Sequence, residues 1–264
     1  MNKKKILIYG FGNIGHHVAA EIEEHPRGDY KIYTYPYDIK HPETEKYLND
    51  YYDIVFICVP TDMKEGGECD TSIVKEAIAK TKDIADIIVI KSTIPITFCE
   101  SLGIQKVVYS PEYWGTTVHS EDTPNFTILG GDSYWTHRVA DFYSRIKPGN
   151  HKFIFTDYRT AELAKYMENC WIATKVTFCN EFATVAKKYK VEYEDLRNCF
   201  VADERVSPSH TFVYDDQPYY DSHCLNKDIP AFLYQCSKGV AAPLMASVDG
   251  INQIRKRAYK NHEE

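Results

Sequence analysis

Near its start the chain reads Ile6-Leu7-Ile8-Tyr9-Gly10-Phe11-Gly12-Asn13-Ile14-Gly15. A short apolar run, predicted as a strand, leads directly into this GxGxxG pattern, and the residues from Asn13 to Glu24 can continue as a helix. In that context the first glycine permits a tight turn, the second lets backbone approach a pyrophosphate, and the third lets helix and strand pack closely. A helix N-terminus also attracts negative charge. Gly10–Gly15 therefore predicts a dinucleotide-binding turn, with a purely structural glycine turn as the alternative.

The second predicted strand, Lys31 to Tyr35, should end near an acid that binds the adenosine ribose and selects NAD. Asp38 is the candidate acid because it lies 23 residues past Gly15, although Pro36 leaves the register of the strand end open. This segment contains no arginine to accept the 2′-phosphate of NADP. The sequence therefore favours NAD as the cofactor.

The rest of the first half alternates short apolar runs with helical stretches. The further predicted strands are Ile54 to Val59, Ile87 to Ile90, Lys106 to Tyr109, Phe126 to Leu129 and Lys152 to Phe155. This alternation predicts an α/β fold, a Rossmann-type doubly wound parallel sheet covered on both faces. From about Arg159 to Lys190 the chain lacks proline and glycine and can form one long helix. We therefore predict an NAD-binding domain over residues 1–157 and an α-helical domain over 158–264.

Composition excludes several classes of partner. Apolar residues make up 44% and charged residues 26%, and the net charge is −7, so no basic surface for nucleic acid or anionic membrane is indicated. No stretch approaches the roughly 20 apolar residues of a membrane helix. The eight cysteines form no CxxC pair, which indicates reduced thiols rather than a disulfide framework. We expect a cytoplasmic protein without bound metal.

Six motifs, in this order, resemble those of the UDP-glucose and GDP-mannose dehydrogenases. Besides the glycine loop they are Val59-Pro60-Thr61 with Cys69-Asp70-Thr71-Ser72, Lys91-Ser92-Thr93-Ile94-Pro95, Ser110-Pro111-Glu112-Tyr113, Ala161 to Asn169, and Cys224-Leu225-Asn226-Lys227-Asp228. The resemblance covers Ile6 to about Leu233. It implies NAD-dependent oxidation of the primary alcohol of a sugar nucleotide to a carboxylate in two hydride transfers.

The resemblance implies that Cys224 is the catalytic nucleophile. A thiolate can trap the intermediate aldehyde as a thiohemiacetal, which a second oxidation converts to a thioester and water hydrolyses. Lys227 and Asp228 follow at the family's spacing, and a nearby ammonium favours a thiolate. A buried, inert cysteine is the alternative.

Further catalytic roles follow from the same resemblance. Lys165 and Asn169, four residues apart on the long helix, share one face, so one can stabilise an oxyanion while the other holds a water or hydroxyl. The alternative is a solvated lysine and a surface asparagine. Glu112 is implied as the general base that acts with a water in thioester hydrolysis. Thr93 is similar to the residue that holds an ordered water near the cofactor.

The remaining implied contacts concern the cofactor and substrate. Val59, Pro60 and Thr61 would line the nicotinamide side, and Lys227 would reach the cofactor. Asp228 is implied as a catalytic residue, with simple pairing to a nearby lysine as the alternative. Arg205 is similar to the arginine that reaches a neighbouring subunit's substrate, or is an ordinary surface residue. The resemblance also implies a homodimer built on the long helix.

Two departures from the family pattern bear on the substrate. Asp221 and Ser222 stand where two glycines usually precede the cysteine, with His223 adjacent. The printed chain ends 40 residues after Cys224, so we expect a short form without the third, nucleotide-sugar-binding domain. Two other functions stay open: single oxidation like that of a β-hydroxyacid dehydrogenase, and a nucleotide-binding sensor or accessory subunit.

Overall fold

The computed structural model describes residues 3–24, 31–116, 121–122 and 124–263. The chain divides into two compact units. The first consists of Met1–Asp62 and Asp70–Lys165, and the second of Met63–Cys69 and Tyr166–Glu264. The predicted domain boundary near residue 157 stays a prediction.

The first unit is built on a seven-stranded sheet. Its strands are β1 (Lys3–Tyr9), β2 (Lys31–Tyr37), β3 (Tyr52–Ile57), β4 (Ala85–Ile90), β5 (Val107–Tyr109), β8 (Phe126–Gly130) and β9 (Lys152–Thr156). They lie in the order β2-β1-β3-β4-β5-β8-β9. A separate antiparallel pair is formed by β6 (Gly115–Thr116) and β7 (Glu121–Asp122). The predicted Rossmann-type sheet is thereby confirmed.

Helices cover both faces of this sheet because successive strand residues point to opposite sides. The helices of this unit are α1 (Asn13–Glu24), α2 (Ser72–Thr81), α3 (Phe98–Leu102), α4 (Ser133–Tyr143) and the start of α5 (Tyr158–Lys188), with a 3-10 segment at Pro42–Asn49. Ile6 and Ile8 of β1 pack with α1 and α4. Leu7 and Tyr9 pack with α2 and α3 on the other face. The helices cover the faces of the sheet, so functional residues are expected at the carboxyl ends of the parallel strands.

The second unit is helical. It contains the rest of α5, α6 (Tyr193–Val201), α7 (His223–Cys236), α8 (Pro243–Glu263) and a short 3-10 turn at Glu65–Gly67. Cys170, Leu225, Ile229 and Val248 bring α5, α7 and α8 into one core. In the part of the chain that the structure describes, no helix combines the length and apolar character needed to span a membrane.

Several strand ends differ from their predicted bounds; β3, predicted over Ile54 to Val59, spans Tyr52–Ile57. Two further differences have a physical reason. β2 runs on through Pro36 to Tyr37, two residues past the predicted end. Proline is tolerated because β2 is an edge strand. β8 pairs antiparallel with β5, although the remaining pairs in the sheet are parallel. Between β5 and β8 the described residues include the β6–β7 pair and no helix, whereas a parallel connection usually needs a helical crossover.

Candidate functional site

The glycine loop joins β1 to α1 with little room for side chains at two of its glycines. Gly10 has a φ of +93°, and a Cβ atom there would lie 2.7 Å from the carbonyl oxygen of Cys58. A Cβ atom on Gly15 would collide with the carbonyl oxygen of Gly10. A Cβ atom on Gly12 would meet no atom within 4 Å. The first and third glycines are therefore needed for packing, whereas the second leaves open space beside the loop, as a bound pyrophosphate requires.

Asp38 follows β2 directly and reaches the glycine loop. Its Oδ2 accepts a hydrogen bond of 2.9 Å from the backbone N–H of Phe11, and its Oδ1 accepts one of 2.9 Å from Lys40 N–H. Burial alone would raise the pKa of Asp38, but these two N–H groups outweigh it and lower the pKa below its ordinary value. Asp38 is thus an ionised acceptor beside Gly10–Gly15, where an adenosine ribose is expected.

Three further predicted residues follow neighbouring strands of the same unit. Thr61 comes after β3, Thr93 after β4 and Glu112 after β5, so each lies at the carboxyl edge of the sheet. Thr61 is only 3% exposed. Ser92 Oγ donates a 2.6 Å hydrogen bond to the carbonyl of Val59, which ties two of these segments together. The ligand-binding edge expected of an open α/β sheet therefore carries the predicted residues.

Glu112 is held as an anion by Lys91. The Lys91 Nζ lies 3.1 Å from Glu112 Oε2, and both side chains are largely buried. Burial alone would raise the pKa of Glu112, but Lys91, the backbone N–H of Trp114 and His17 lower it below its ordinary range. Neither Lys91 nor His17 was assigned a role from the sequence. The position of Lys91 could have indicated its role, because it follows a buried strand directly and that strand neighbours the one before Glu112.

Lys165 lies close to the residue that follows Glu112. Its Nζ is 4.5 Å from the centre of the Tyr113 ring, within cation–π range, and the side chain is 9% exposed. Lys165 is therefore not the solvated surface lysine considered above. It supplies a sparsely hydrated positive charge in the first unit.

Three predicted residues of the second unit, Asn169, Lys227 and Asp228, form one hydrogen-bonded group. Asn169 Nδ2 donates a 2.7 Å bond to Asp228 Oδ2, and Lys227 Nζ lies 2.6 Å from Asp228 Oδ1. Asp228 is 2% exposed, and each of its two carboxyl oxygens is engaged by one of these partners. Cys224 is exposed and lies four residues before Asp228, on the same face of α7.

The residues before Cys224 begin α7. Ser222 is its N-cap and accepts a 3.2 Å bond from Leu225 N–H. Asp221 accepts a 2.7 Å bond from Asn226 Nδ2 and pairs with Lys256 of α8. The two side chains that replace glycines are thus engaged within the second unit.

Arg205 lies in the turn after α6 with 89% of its side chain exposed. Its Nη2 is 2.5 Å from Asp203 Oδ2. Its predicted reach to a neighbouring subunit stays a prediction. Among the described residues, no cluster of three or more His, Cys, Asp or Glu side chains is arranged to hold a metal ion.

Two domains of one family match the chain. The NAD binding domain of the UDP-glucose/GDP-mannose dehydrogenase family matches residues 43–146, and the central domain of that family matches residues 159–254. NAD is therefore confirmed as the cofactor of this fold.

Sequence relatives agree with these matches. The UDP-glucose 6-dehydrogenase of Rickettsia felis is 31% identical over 193 residues, which cover 68% of this chain and 42% of that protein. The UDP-glucose 6-dehydrogenase of Campylobacter jejuni is 27% identical over 224 residues, covering 81% of this chain and 55% of that protein. The chain thus spans about half the length of these relatives. A shared segment of 172 residues is 30% identical to an uncharacterized protein of Methanocaldococcus jannaschii and covers 58% of this chain and 19% of that protein.

Solved structures share the fold. A UDP-glucose dehydrogenase from Pyrobaculum islandicum superposes with a TM-score of 0.77 at 19% identity, covering 97% of this chain and 69% of that one. A 3-hydroxyisobutyrate dehydrogenase from Mycobacterium tuberculosis gives 0.70 at 14% identity, covering 98% and 95%. The second likeness covers nearly the full length of both chains, so the fold by itself does not separate the two kinds of dehydrogenase. The two matched domains, in order and over most of the sequence, do: the chain belongs to the UDP-glucose/GDP-mannose dehydrogenase family.

Proposed function

We propose that this protein is an NAD-dependent dehydrogenase that oxidises the primary alcohol of a nucleotide-sugar to a carboxylate, using Cys224 as the nucleophile. The observation that carries the proposal is the bonded group of Asn169, Lys227 and Asp228, with exposed Cys224 one turn away on α7. A sensor or accessory subunit needs only the glycine loop, so the presence of this group together with an accessible thiol favours an enzyme.

The first unit supplies residues that fit NAD. The open space at Gly12 leaves room for the pyrophosphate, and the N-terminus of α1 favours its charge. Asp38 would accept hydrogen bonds from the ribose hydroxyls. Val59, Pro60 and Thr61 would line the nicotinamide side. NAD, when bound, accepts a hydride in each oxidation. Lys227 stays a proposed cofactor contact, and its ammonium pairs with Asp228.

Cys224 forms a covalent intermediate, so that the second oxidation and the hydrolysis are separate steps. Its thiolate attacks the aldehyde carbon formed in the first oxidation and gives a thiohemiacetal alkoxide. Loss of a hydride from that carbon gives the thioester. Water then displaces the thiolate and releases the acid. For each alcohol, two NAD⁺ and one water are consumed, and a carboxylate, two NADH and three protons are produced.

Lys165 and Asn169 stabilise the oxygen that changes charge in these steps. The ammonium of Lys165 favours an alkoxide over an alcohol. The bond from Asn169 Nδ2 to Asp228 fixes the amide, and this leaves its Oδ1 to accept a hydrogen bond from a water or hydroxyl. Asp228 therefore acts by orienting Asn169.

Glu112 serves the hydrolytic step. An ionised carboxylate with a directed oxygen can accept a proton from the water that attacks the thioester. Thr93, directly after β4, holds an ordered water in this scheme. Arg205 is proposed to contact substrate from a neighbouring subunit.

The test counts NADH formed per sugar when the purified protein meets NAD and a panel of UDP- and GDP-sugars. Two NADH per sugar are expected with the substrate, and one would indicate the single oxidation of a β-hydroxyacid dehydrogenase. Cys224→Ser should abolish the second NADH. Cys199→Ser, which changes another exposed cysteine, should leave the count at two. Tight NAD binding without turnover of any sugar would favour an accessory subunit.

A homodimer is part of the proposal, since α5 presents an exposed apolar stripe. At about 100° per residue its members fall within an arc of about 60° and span about 27 Å of helix. They are Met167, Trp171, Phe178, Phe182 and Val185. Such a stripe is large for a monomer surface, and a straight stripe can pair with its own copy about a two-fold axis.

The cytoplasm is the proposed location. None of the eight cysteines forms a disulfide. This is the state that a reducing compartment maintains.

A further inference from the structure

Lys91 and Glu112 form a buried ion pair at the carboxyl edge of the sheet. Lys91 follows β4 and Glu112 follows β5, and these strands are parallel neighbours. The side chains are 7% and 13% exposed, with 3.1 Å between Nζ and Oε2. Register between two strands therefore brings together two charges that lie 21 positions apart in the sequence.

The carboxylate of Glu112 is fixed at both oxygens. Its Oε1 accepts hydrogen bonds of 2.9 Å from the N–H of Tyr113 and 2.8 Å from the N–H of Trp114. Its Oε2 faces Lys91. The Trp114 ring stacks on His17 of α1 with 4.6 Å between ring centres. The orientation of the carboxylate is therefore set by contacts on three sides.

Several other ionisable groups surround this pair. They line one small, enclosed cavity with it: His17, Glu21, Tyr143 and Lys147. Cys58, after β3, also interacts with both charges. Burial raises the pKa of Cys58 and of Tyr143 to about 12, so both are neutral at physiological pH. Lys147 pairs with Glu21. Lys91 is thus the ammonium in direct contact with Glu112, with His17 as a weaker contributor.

We propose that Lys91 is a positioning residue for the hydrolytic step: it keeps Glu112 ionised and aims Oε2. This inference rests on the proposed role of Glu112 as general base. A buried carboxylate without a cation takes up a proton and loses its ability to act as a base. In this chain the ammonium comes from the strand next to the one that carries the base.

The pair has a consequence for pH dependence. With Lys91 in place, the pKa of Glu112 is lowered, so the base stays ionised well below neutral pH. Without Lys91, burial is the largest remaining influence and raises the pKa of Glu112. The acid limb of the hydrolytic rate should then move to higher pH in Lys91→Met.

The experiment measures Glu112 directly and the reaction separately. Carbon-13 carboxyl resonances of labelled glutamate, with Glu112→Gln for assignment, give the titration of Glu112 in the wild type and in Lys91→Met. Thioester hydrolysis is followed by single-turnover quench. We expect an upward shift of the Glu112 titration, a roughly tenfold to hundredfold slower hydrolysis at pH 7 with KM unchanged, and recovery in Lys91→Arg.

Two controls separate charge from folding. Lys147→Met removes another ammonium from the same cavity, one that pairs with Glu21 rather than with Glu112. This variant should leave the pKa of Glu112 unchanged. If Lys91→Met folds poorly, the double variant Lys91→Met/Glu112→Gln should be the more stable of the two, since it buries no unpaired charge.

An unchanged Glu112 titration in Lys91→Met, unchanged hydrolysis despite a shifted titration, or a double variant no more stable than the single one would each overturn the proposal. A shifted titration in a protein that oxidises no sugar would leave the pairing intact and contradict the proposed function instead.

Discussion

Glu162, fully buried near the start of α5, should stabilise the first unit through two backbone amides. Its carboxylate accepts hydrogen bonds of 2.6 Å from Thr97 N–H and 2.9 Å from Cys99 N–H, at the beginning of α3. Thr97 itself has a φ of +75°, an unfavourable conformation for a β-branched residue. The contacts of Glu162 therefore hold a strained turn as well as a helix end.

Glu162→Ala leaves both amides without an acceptor. The unpaired buried N–H of Cys99 costs about 1–3 kcal/mol, and the part-buried N–H of Thr97 costs less because water can reach it. Relief of the buried carboxylate offsets part of the sum, so we expect a net loss of about 2 kcal/mol. In a chain of this size that corresponds to a Tm lower by roughly 4–8 °C. Urea and thermal unfolding followed by circular dichroism would measure it. Glu162→Gln, which keeps one acceptor oxygen, should lose less.

The dependence of this loss on pH has a definite sign. Burial raises the pKa of Glu162 above its ordinary 4.5, against the two N–H groups, which lower it. A group whose pKa is raised by folding contributes stability at low pH and loses it as pH rises through the folded value. The stability difference between wild type and Glu162→Ala should therefore be larger at pH 5 than at pH 8.

Glu100→Ala is the matched control, because Glu100 is also a glutamate in this region. It lies in α3 and pairs with Arg159 at the surface. An exposed pair of this kind contributes at most about 1 kcal/mol. Equal losses in Glu162→Ala and Glu100→Ala, or a difference that grows with pH, would refute the reasoning.

Two further predictions concern cofactor binding and assembly. Gly12→Ala should fold with wild-type stability yet bind NAD at least tenfold more weakly by calorimetry, whereas Gly15→Ala should lower the Tm because its methyl meets backbone. Equal stability of the two variants would contradict the packing argument. Trp171→Glu, in the apolar stripe of α5, should halve the mass measured by light scattering, and Tyr134→Glu, at an exposed ring on α4, should not. A monomeric wild type would rule out the proposed dimer.

Much of the fold could be predicted because its signals are local. Each strand is a short apolar run, and α1 begins and ends where the sequence indicates, at Asn13 and Glu24. The direction of β8 could not be predicted, since it depends on the path of the chain between β5 and β8 rather than on the residues of the strand. The end of β2 depended on its place at the edge of the sheet, which the sequence does not state.

The sequence named the candidate site residues but not the contacts that they make. Motif order identified Asn169 and Asp228, but their direct hydrogen bond joins two helices 59 positions apart. Lys91 appeared within a motif, and its partner could be named only once the order of the strands was known. The engagement of Asp221 by Lys256 likewise depends on where α8 packs.

The Glu65–Gly67 turn adds a constraint on how the chain is made. A Cβ atom on Gly67 would lie 3.1 Å from the carbonyl oxygen of Pro230, so this turn packs tightly against α7, the helix that begins beside Cys224. Pro230 follows Gly67 by 163 residues. At about 5–20 residues per second, the ribosome needs roughly 8–30 s to deliver the second after the first. During synthesis the turn therefore lacks its partner until Pro230 has emerged, and the helix that carries the proposed nucleophile can pack against it only then.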